Sequence, residues 1–207
     1  MPSRKDEKMK FRKPASAMLA AAMLVSSTAI VSYAAEDAEM KAALTVAKER
    51  IDIPETFTEF NHYVRTNYGS KTYVFSWSAP DGSGAVNAEV CGKVITEYTS
   101  NGKDFALDTV EDEAAKPYTF AKLTKEDLIQ KAKTAVKKLN PTIAEKIAVD
   151  PDGVRISLYG NDAYVTIYRI ENGVKVAGQN GSICLNKNTG EMTRYYTTCS
   201  GLLSFWK

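Results

Sequence analysis

The stretch "LNKNTGEMTRYY", Leu185 to Tyr196, reads as a strand, a tight Asn-Thr-Gly turn and a second strand. A stretch of the same kind, "EVCGKVITEYT", runs from Glu89 to Thr99 in the first half of the chain. Within the two, "GKVITEY" (Gly92–Tyr98) aligns with "GEMTRYY" (Gly190–Tyr196). Such self-similarity points to a repeated module, and the fold then follows from what one module can bury.

Two further anchors extend the match. Met40, Leu44, Ala47 and Ile51 form one stripe of an amphipathic helix, and Leu128, Ala132, Ala135 and Leu139 repeat the same spacing. The second helix carries its own start and stop: Thr124 with Asp127 three residues on makes a Thr-x-x-acid cap, and Asn140-Pro141 ends it. The first helix ends before Pro54. The other anchor is a hairpin, "YGSKTYV" (Tyr68–Val74) against "YGNDAYV" (Tyr159–Val165). Each Gly is read at a turn, and the strands alternate, with Tyr73, Phe75 and Trp77 on one face and Tyr164, Thr166 and Tyr168 likewise. The offsets of the three anchors are 88, 91 and 98. The last increment is placed in the turn-rich "ENGVKVAGQNG" between the two hairpins, as loop-length variation.

Each module thus reads helix and four strands, for which a helix covering one face of an antiparallel sheet is the economical burial solution. The predicted fold class is α+β, with residues 35–99 as a first repeat and 123–198 as a second. Residues 100–122 are read as an acidic linker (Asp104, Asp108, Glu111, Asp112, Glu113) with a short strand near Tyr118–Phe120. "CSGLLSFWK", 199–207, is read as an irregular tail.

The first 34 residues are set apart. A basic head (Arg4, Lys5, Lys8, Lys10, Arg12, Lys13) precedes an apolar run from Ala15 to Val31, and small residues follow at Ser32 and Ala34. That order describes a secretory signal peptide, with cleavage expected between Ala34 and Ala35. The run is short for a membrane span and rich in Ala, Ser and Thr. Residues 1–34 hold six of the 27 basic and two of the 25 acidic groups, leaving 21 against 23, net −2 after cleavage. A near-neutral chain without a basic stripe gives no electrostatic case for nucleic acid. The three cysteines, Cys91, Cys184 and Cys199, have spacings that fit neither a zinc site nor a Cys-x-x-Cys redox motif, and their odd number argues against a disulfide framework.

The helix ending in "KKLNP", the "YGNDAYV" hairpin, the "ENGVKV" turn and the closing "LNKNTGEMTRYY" together resemble the YcdB/YcdC repeated domain of bacterial exported proteins, itself similar to the PepSY module. The resemblance spans nearly all of Glu36 to Thr198, more convincingly in the second copy, and its motifs hold no reactive group. It implies a helix on an antiparallel sheet, no cofactor and no catalytic residue. PepSY modules of peptidase propeptides inhibit or chaperone the peptidase, so the resemblance implies an extracellular peptidase or another envelope protein as partner. Relatives often continue into S-layer homology repeats, whereas this chain stops at Lys207.

Candidate chemistry is sparse. His62 in "EFNHYV" is the single histidine, and metal sites and triads need partners. No His-Glu-x-x-His, Gly-x-Ser-x-Gly or phosphate-cradling loop is present. "DGSGA" (Asp81–Ala85) has turn chemistry in a hairpin loop. "VDPDGV" (Val149–Val154) could open a calcium loop, yet the later ligands and closing Glu are absent, and turn formation alone accounts for it. The aromatic alternation (Tyr63, Tyr73, Phe75, Trp77, Tyr164, Tyr168, Tyr195, Tyr196) has two readings: rings filling a helix–sheet core, or an exposed face that binds a peptide strand or glycan.

The expectation is a secreted, non-enzymatic binding module of the bacterial cell surface or cell wall, without metal or cofactor, docking a protein through a sheet edge or aromatic face. Tyr73, Trp77, Tyr168 and Tyr196 are its candidate binding surface, and membrane contact is expected only through an uncleaved signal peptide. The alternative is a passive structural module of the envelope in an S-layer-associated protein.

Overall fold

The computed structural model describes residues 38–67, 70–101 and 118–198. The signal segment with Ala34 and Ala35, the acidic patch of the linker, Tyr68-Gly69 and the tail from Cys199 lie outside the described residues. The chain folds in the order α1 (Ala38–Arg50), β1 (Glu59–Asn67), β2 (Ser70–Ser78), β3 (Ala85–Cys91), β4 (Val94–Asn101), α2 (Lys125–Leu139), β5 (Ile147–Ile156), β6 (Asp162–Glu171), β7 (Val174–Asn186) and β8 (Met192–Thr197). A single 3-10 turn, Ala144–Lys146, precedes β5.

All eight strands form one antiparallel sheet in the order β1-β2-β3-β4-β8-β7-β6-β5. Two four-stranded meanders meet at their last strands, where Glu97, Tyr98 and Thr99 of β4 pair with Tyr196, Tyr195 and Arg194 of β8. Both helices contribute to one core with the same sheet face. Met40, Ala43, Val46 and Ala47 of α1, with Ile51 beyond it, pack over Tyr73, Phe75 and Trp77 of β2 and Val86, Ala88 and Val90 of β3. Leu128, Ala132, Val136 and Leu139 of α2 do the same over Ala163, Val165 and Ile167 of β6 and Ile183 and Leu185 of β7. Burying two apolar helix stripes on one sheet leaves the opposite face to solvent.

The local signals act as the sequence expects at α2. Thr124 accepts from the Asp127 amide while Asp127 reaches back to the Thr124 amide, which satisfies two donors the helix leaves open. Those same bonds hold the Asp127 carboxyl below the usual carboxylate range. The closing turn is built by Asn186, whose Oδ1 accepts from the amides of Asn188 (2.9 Å) and Thr189 (3.2 Å).

Three expectations need correction. First, "ENGVKVAGQNG" is not a loop. Only Asn172 and Gly173, both at positive φ, make the turn; the remaining residues lengthen β7 into a 13-residue strand that pairs with the end of β6. Second, the segment Tyr118–Phe120 forms no strand; it is held by the Thr119 amide donating to the Leu158 carbonyl at 3.3 Å. β4, the strand before that segment among the described residues, runs to Asn101.

Third, two of the aligned residue pairs lie on opposite faces. Tyr73 is buried under α1, but its match Tyr164 faces away from the helices and is 39% exposed. Tyr98 is buried on the helix side, but its match Tyr196 faces the other way. The ladders show the true register: Tyr73 pairs with Val90, and Ala163 occupies the same position against Leu185. Each of these partners is the last ladder pair before a bulge, at Val90/Ile95 and Leu185/Met192. A slip of one residue inverts every side chain of a strand, so motif identity placed these strands close but on the wrong face.

Candidate functional site

The four residues expected to form a binding surface are divided by the sheet. Tyr73 and Trp77 are 3% and 5% exposed and fill the core beneath α1, Trp77 with its ring centre 6.0 Å from Phe75. They bury large apolar area there, and Trp77 reaches the surface only at the floor of a groove between the helices. Tyr168 and Tyr196 emerge on the solvent side. Tyr168 is half-buried with the Lys175 ammonium 4.5 Å from its ring centre, a cation–π arrangement. Tyr196 is 46% exposed in the middle of the sheet.

Register and alternation define that open face. One continuous row crosses all eight strands: Asn61, Ser76, Asn87, Thr99, Arg194, Cys184, Tyr164 and Arg155. The adjacent row holds Tyr63, Val74, Glu89, Glu97, Tyr196, Ser182 and Thr166. The face is polar with three half-exposed tyrosines, Tyr63, Tyr164 and Tyr196. Tyr63 and Tyr164 belong to the aromatic alternation visible in the sequence; their exposure depends on the register and was not readable from it.

At the centre of the face Glu89 and Glu97 stand directly opposite each other. Like charges in that relation destabilise a sheet. Burial and then the nearby Glu97 push the Glu89 carboxyl up, while Arg65, reaching from β1 across β2 to form an ion pair with Glu89, opposes the shift. Tyr196 is the cross-strand neighbour of Glu97. Glu89 and Glu97, with Arg65 paired to the first, thus place the acids of the face on β3 and β4, while Arg194 and Arg155 lie on β8 and β5 beside Asp162, which accepts from the Tyr164 hydroxyl at 3.2 Å. Burial also pushes the Tyr164 hydroxyl up, with Cys184 and Asp162 adding to the effect.

On the other side, a groove of about 940 Å³ runs between the helices, floored by Trp77, Tyr98 and Met192 and flanked by Lys48, Lys131 and Lys138. Asp52 pairs with Lys138, and Glu55 and Glu191 line the same groove, so its charges offset one another. His62 stacks on Phe60 with ring centres 5.7 Å apart, at the edge of the core side. Asp150 and Asp152 are not in a loop between elements. They belong to a four-residue excursion of β5, where Asp150 Oδ1 accepts from the Asp152 amide at 3.0 Å. Among the described residues no group of three or more His, Cys, Asp or Glu is placed to hold a metal ion, and no helix is long and apolar enough to cross a membrane.

Two buried polar residues hold the site's scaffold. Asn140, at the end of α2, is fully buried: its Oδ1 accepts from the Ile95 amide (2.8 Å), and its Nδ2 donates to the Ile95 carbonyl (2.8 Å) and the Tyr195 hydroxyl (3.0 Å). The side chain thus replaces a strand where β4 has none beside it. Lys187 is equally buried, its ammonium donating to the carbonyls of Thr119 (2.5 Å) and Ser157 (2.9 Å). It ties the segment before α2 to the β5–β6 turn. The sequence shows Asn140 only as a helix stop and Lys187 only as a strand residue before the Asn-Thr-Gly turn.

No family model matches the sequence, and no curated protein matches it. Among solved structures the chain is similar to the Bacillus megaterium YpeB C-terminal domain, at 10% identity and a TM-score of 0.47. The match covers 79% of this chain and 62% of that one, so the chain spans less than two thirds of its neighbour's length.

Proposed function

We propose that this protein is an exported, non-enzymatic binding module that engages a protein partner through the open face of its sheet. The observation that carries the reading is the two adjacent rows of that face. They bring Tyr63, Tyr164 and Tyr196 to solvent around a strained Glu89–Glu97 pair, with no helix or loop of the described residues laid over them. Tyrosines supply large contact area at low entropic cost, and charged groups set among them, Glu89 and Glu97 at the centre with Arg65, Arg155 and Arg194 around them, give a partner's charges fixed places to meet. Export is inferred from the basic head, apolar run and small-residue exit of residues 1–34.

We read the two halves as copies of one unit. Supporting this, each is a helix followed by a four-stranded meander. The last hairpin of each also has a bulge at a threonine, Thr96 or Thr193, whose hydroxyl donates to the facing strand, at Glu89 or Cys184, at 3.4 Å. The unit resembles the YcdB/YcdC and PepSY modules, and with them the partner proposed is an extracellular peptidase, inhibited or chaperoned on binding.

The test compares wild type with Tyr196→Ala and Tyr63→Ala, matched for melting temperature, in capture from a secreted fraction with peptidase activity followed alongside. A specific partner retained by wild type and lost by both variants is expected. Equal behaviour of all three removes the open face from function and leaves the passive envelope module as the better reading.

A further inference from the structure

The two edges of the sheet are treated differently. At β5, Asp150-Pro151-Asp152-Gly153 interrupts the ladder between Val149 and Val154, and a proline and two acids guard the edge. A Cβ on Gly153 would sit 2.6 Å from that of Thr166, so the excursion is held tightly to its neighbour. β1 has no break and no proline, and its two charges are of opposite sign, Glu59 and Arg65. Its nine residues pair with β2 without a register shift, contain neither Pro nor Lys, and meet no other strand of the described residues on their outer side. A long, regular edge without break or proline is a template for another strand whose charges complement its own. Phe60 there is 40% exposed although its ring lies 5.4 Å from Trp77, so its outer side is bare.

We propose that β1 pairs antiparallel with β1 of a second copy of this chain, centred on His62. Antiparallel pairing of identical strands is two-fold symmetric, and symmetry tests the sequence against itself. With His62 opposite His62, Phe60 faces Val64, Asn61 faces Tyr63 and Glu59 faces Arg65, each pair formed twice. Phe60 and Val64 lie on the core side, against Trp77 and Tyr73, and together they close the bare end of each core. Glu59 and Arg65 lie on the open face. Arg65 keeps its bond to Glu89, and the second copy's Glu59 adds a carboxylate to a guanidinium with five donors. No other two-fold register of this strand sets Glu59 opposite Arg65. The result joins two sheets into one and makes the two open faces continuous.

The experiment is sedimentation velocity of the full chain over a wide concentration range, with cysteine cross-linking in a Cys199→Ser background. A monomer–dimer equilibrium is expected. Glu59→Lys, a substitution at an exposed position whose one side-chain bond is a long one to Ser78, turns two attractions into two repulsions and weakens association by about tenfold or more. His62→Cys forms a disulfide-linked dimer on mild oxidation, because directly opposed antiparallel residues lie within disulfide reach, and Asn61→Cys does not. Tyr196→Ala leaves association unchanged, which separates this proposal from the open-face reading. A monomer at every concentration, unaltered association in Glu59→Lys, or cross-linking through residue 61 in place of 62 would overturn it. So would a monomer that pairs only with a foreign strand.

Discussion

Replacing Asn140 by Ala should be the most damaging single polar substitution in the described structure. The change removes one side chain, strands two buried backbone groups, the Ile95 amide and the Ile95 carbonyl, and takes one bond from the Tyr195 hydroxyl. Ile95, Tyr195 and Asn140 are all fully buried, so water cannot replace the bonds without entering the junction of β4, β8 and α2. An orphaned buried donor or acceptor costs about 1–3 kcal/mol. Two orphaned backbone groups and a weakened tyrosine give about 3–5 kcal/mol, a large part of the ~5–15 kcal/mol of an ordinary domain. With a urea m-value of about 2 kcal/mol/M, the midpoint falls by about 2 M. Asn140→Asp sharpens the test. It keeps an acceptor for the Ile95 amide but turns a carboxylate toward the Ile95 carbonyl, so its native-state pKa is raised. Its stability should therefore improve as pH falls through that raised value, where the protonated acid donates again, while Asn140→Ala shows no such recovery. The halves share one sheet, and Arg50 of α1 donates to the Leu139 carbonyl at 3.1 Å, so wild type should unfold in one transition. A loss under about 0.5 kcal/mol, the range of surface substitutions, would refute the role given to Asn140.

Further outcomes follow from other parts of the sheet. The Glu89 carboxyl should titrate above the usual glutamate value in an NMR pH series, falling in Glu97→Gln and rising in Arg65→Met. Because the native state then holds that proton more tightly than the unfolded chain, its contribution to stability is complete below the unfolded pKa and is lost as pH rises through the native one. Gly181→Ala places a Cβ 2.1 Å from the Tyr196 carbonyl oxygen on the paired strand, and should cost about 2–4 kcal/mol by denaturation. Gly82→Ala meets no atom but sits at positive φ, and should cost about 1 kcal/mol. Lys187→Met leaves two buried carbonyls without their donor; a loss of about 1–3 kcal/mol is expected, with faster proteolysis between residues 118 and 123.

Much of the secondary structure is legible in the amino-acid order, because its causes are local. Of the expected stripe of α2, Leu128, Ala132 and Leu139 are buried while Val136 takes the place expected of Ala135; Thr124 and Asp127 start the helix, and Asn140-Pro141 stops it. Turn residues mark the hairpins, and the alternation of Tyr73, Phe75 and Trp77 marks a strand with one buried face. The α+β class follows, since a helix stripe and a sheet face each need an apolar neighbour.

Tertiary structure alone decides which tyrosines meet solvent, whether the two meanders join, and where the free edges fall. Tyr73 and Tyr164 sit in heptapeptides that share Tyr-Gly and Tyr-Val at the same positions yet face opposite sides, because side chains alternate with a period of two and one residue of slip exchanges core for solvent. The β4–β8 pairing, the Asn140 side chain standing in for a strand and Lys187 among carbonyls all join residues distant in the chain. Their partners are chosen by which backbone groups the fold leaves unsatisfied once it has formed, and no window of neighbouring residues carries that information.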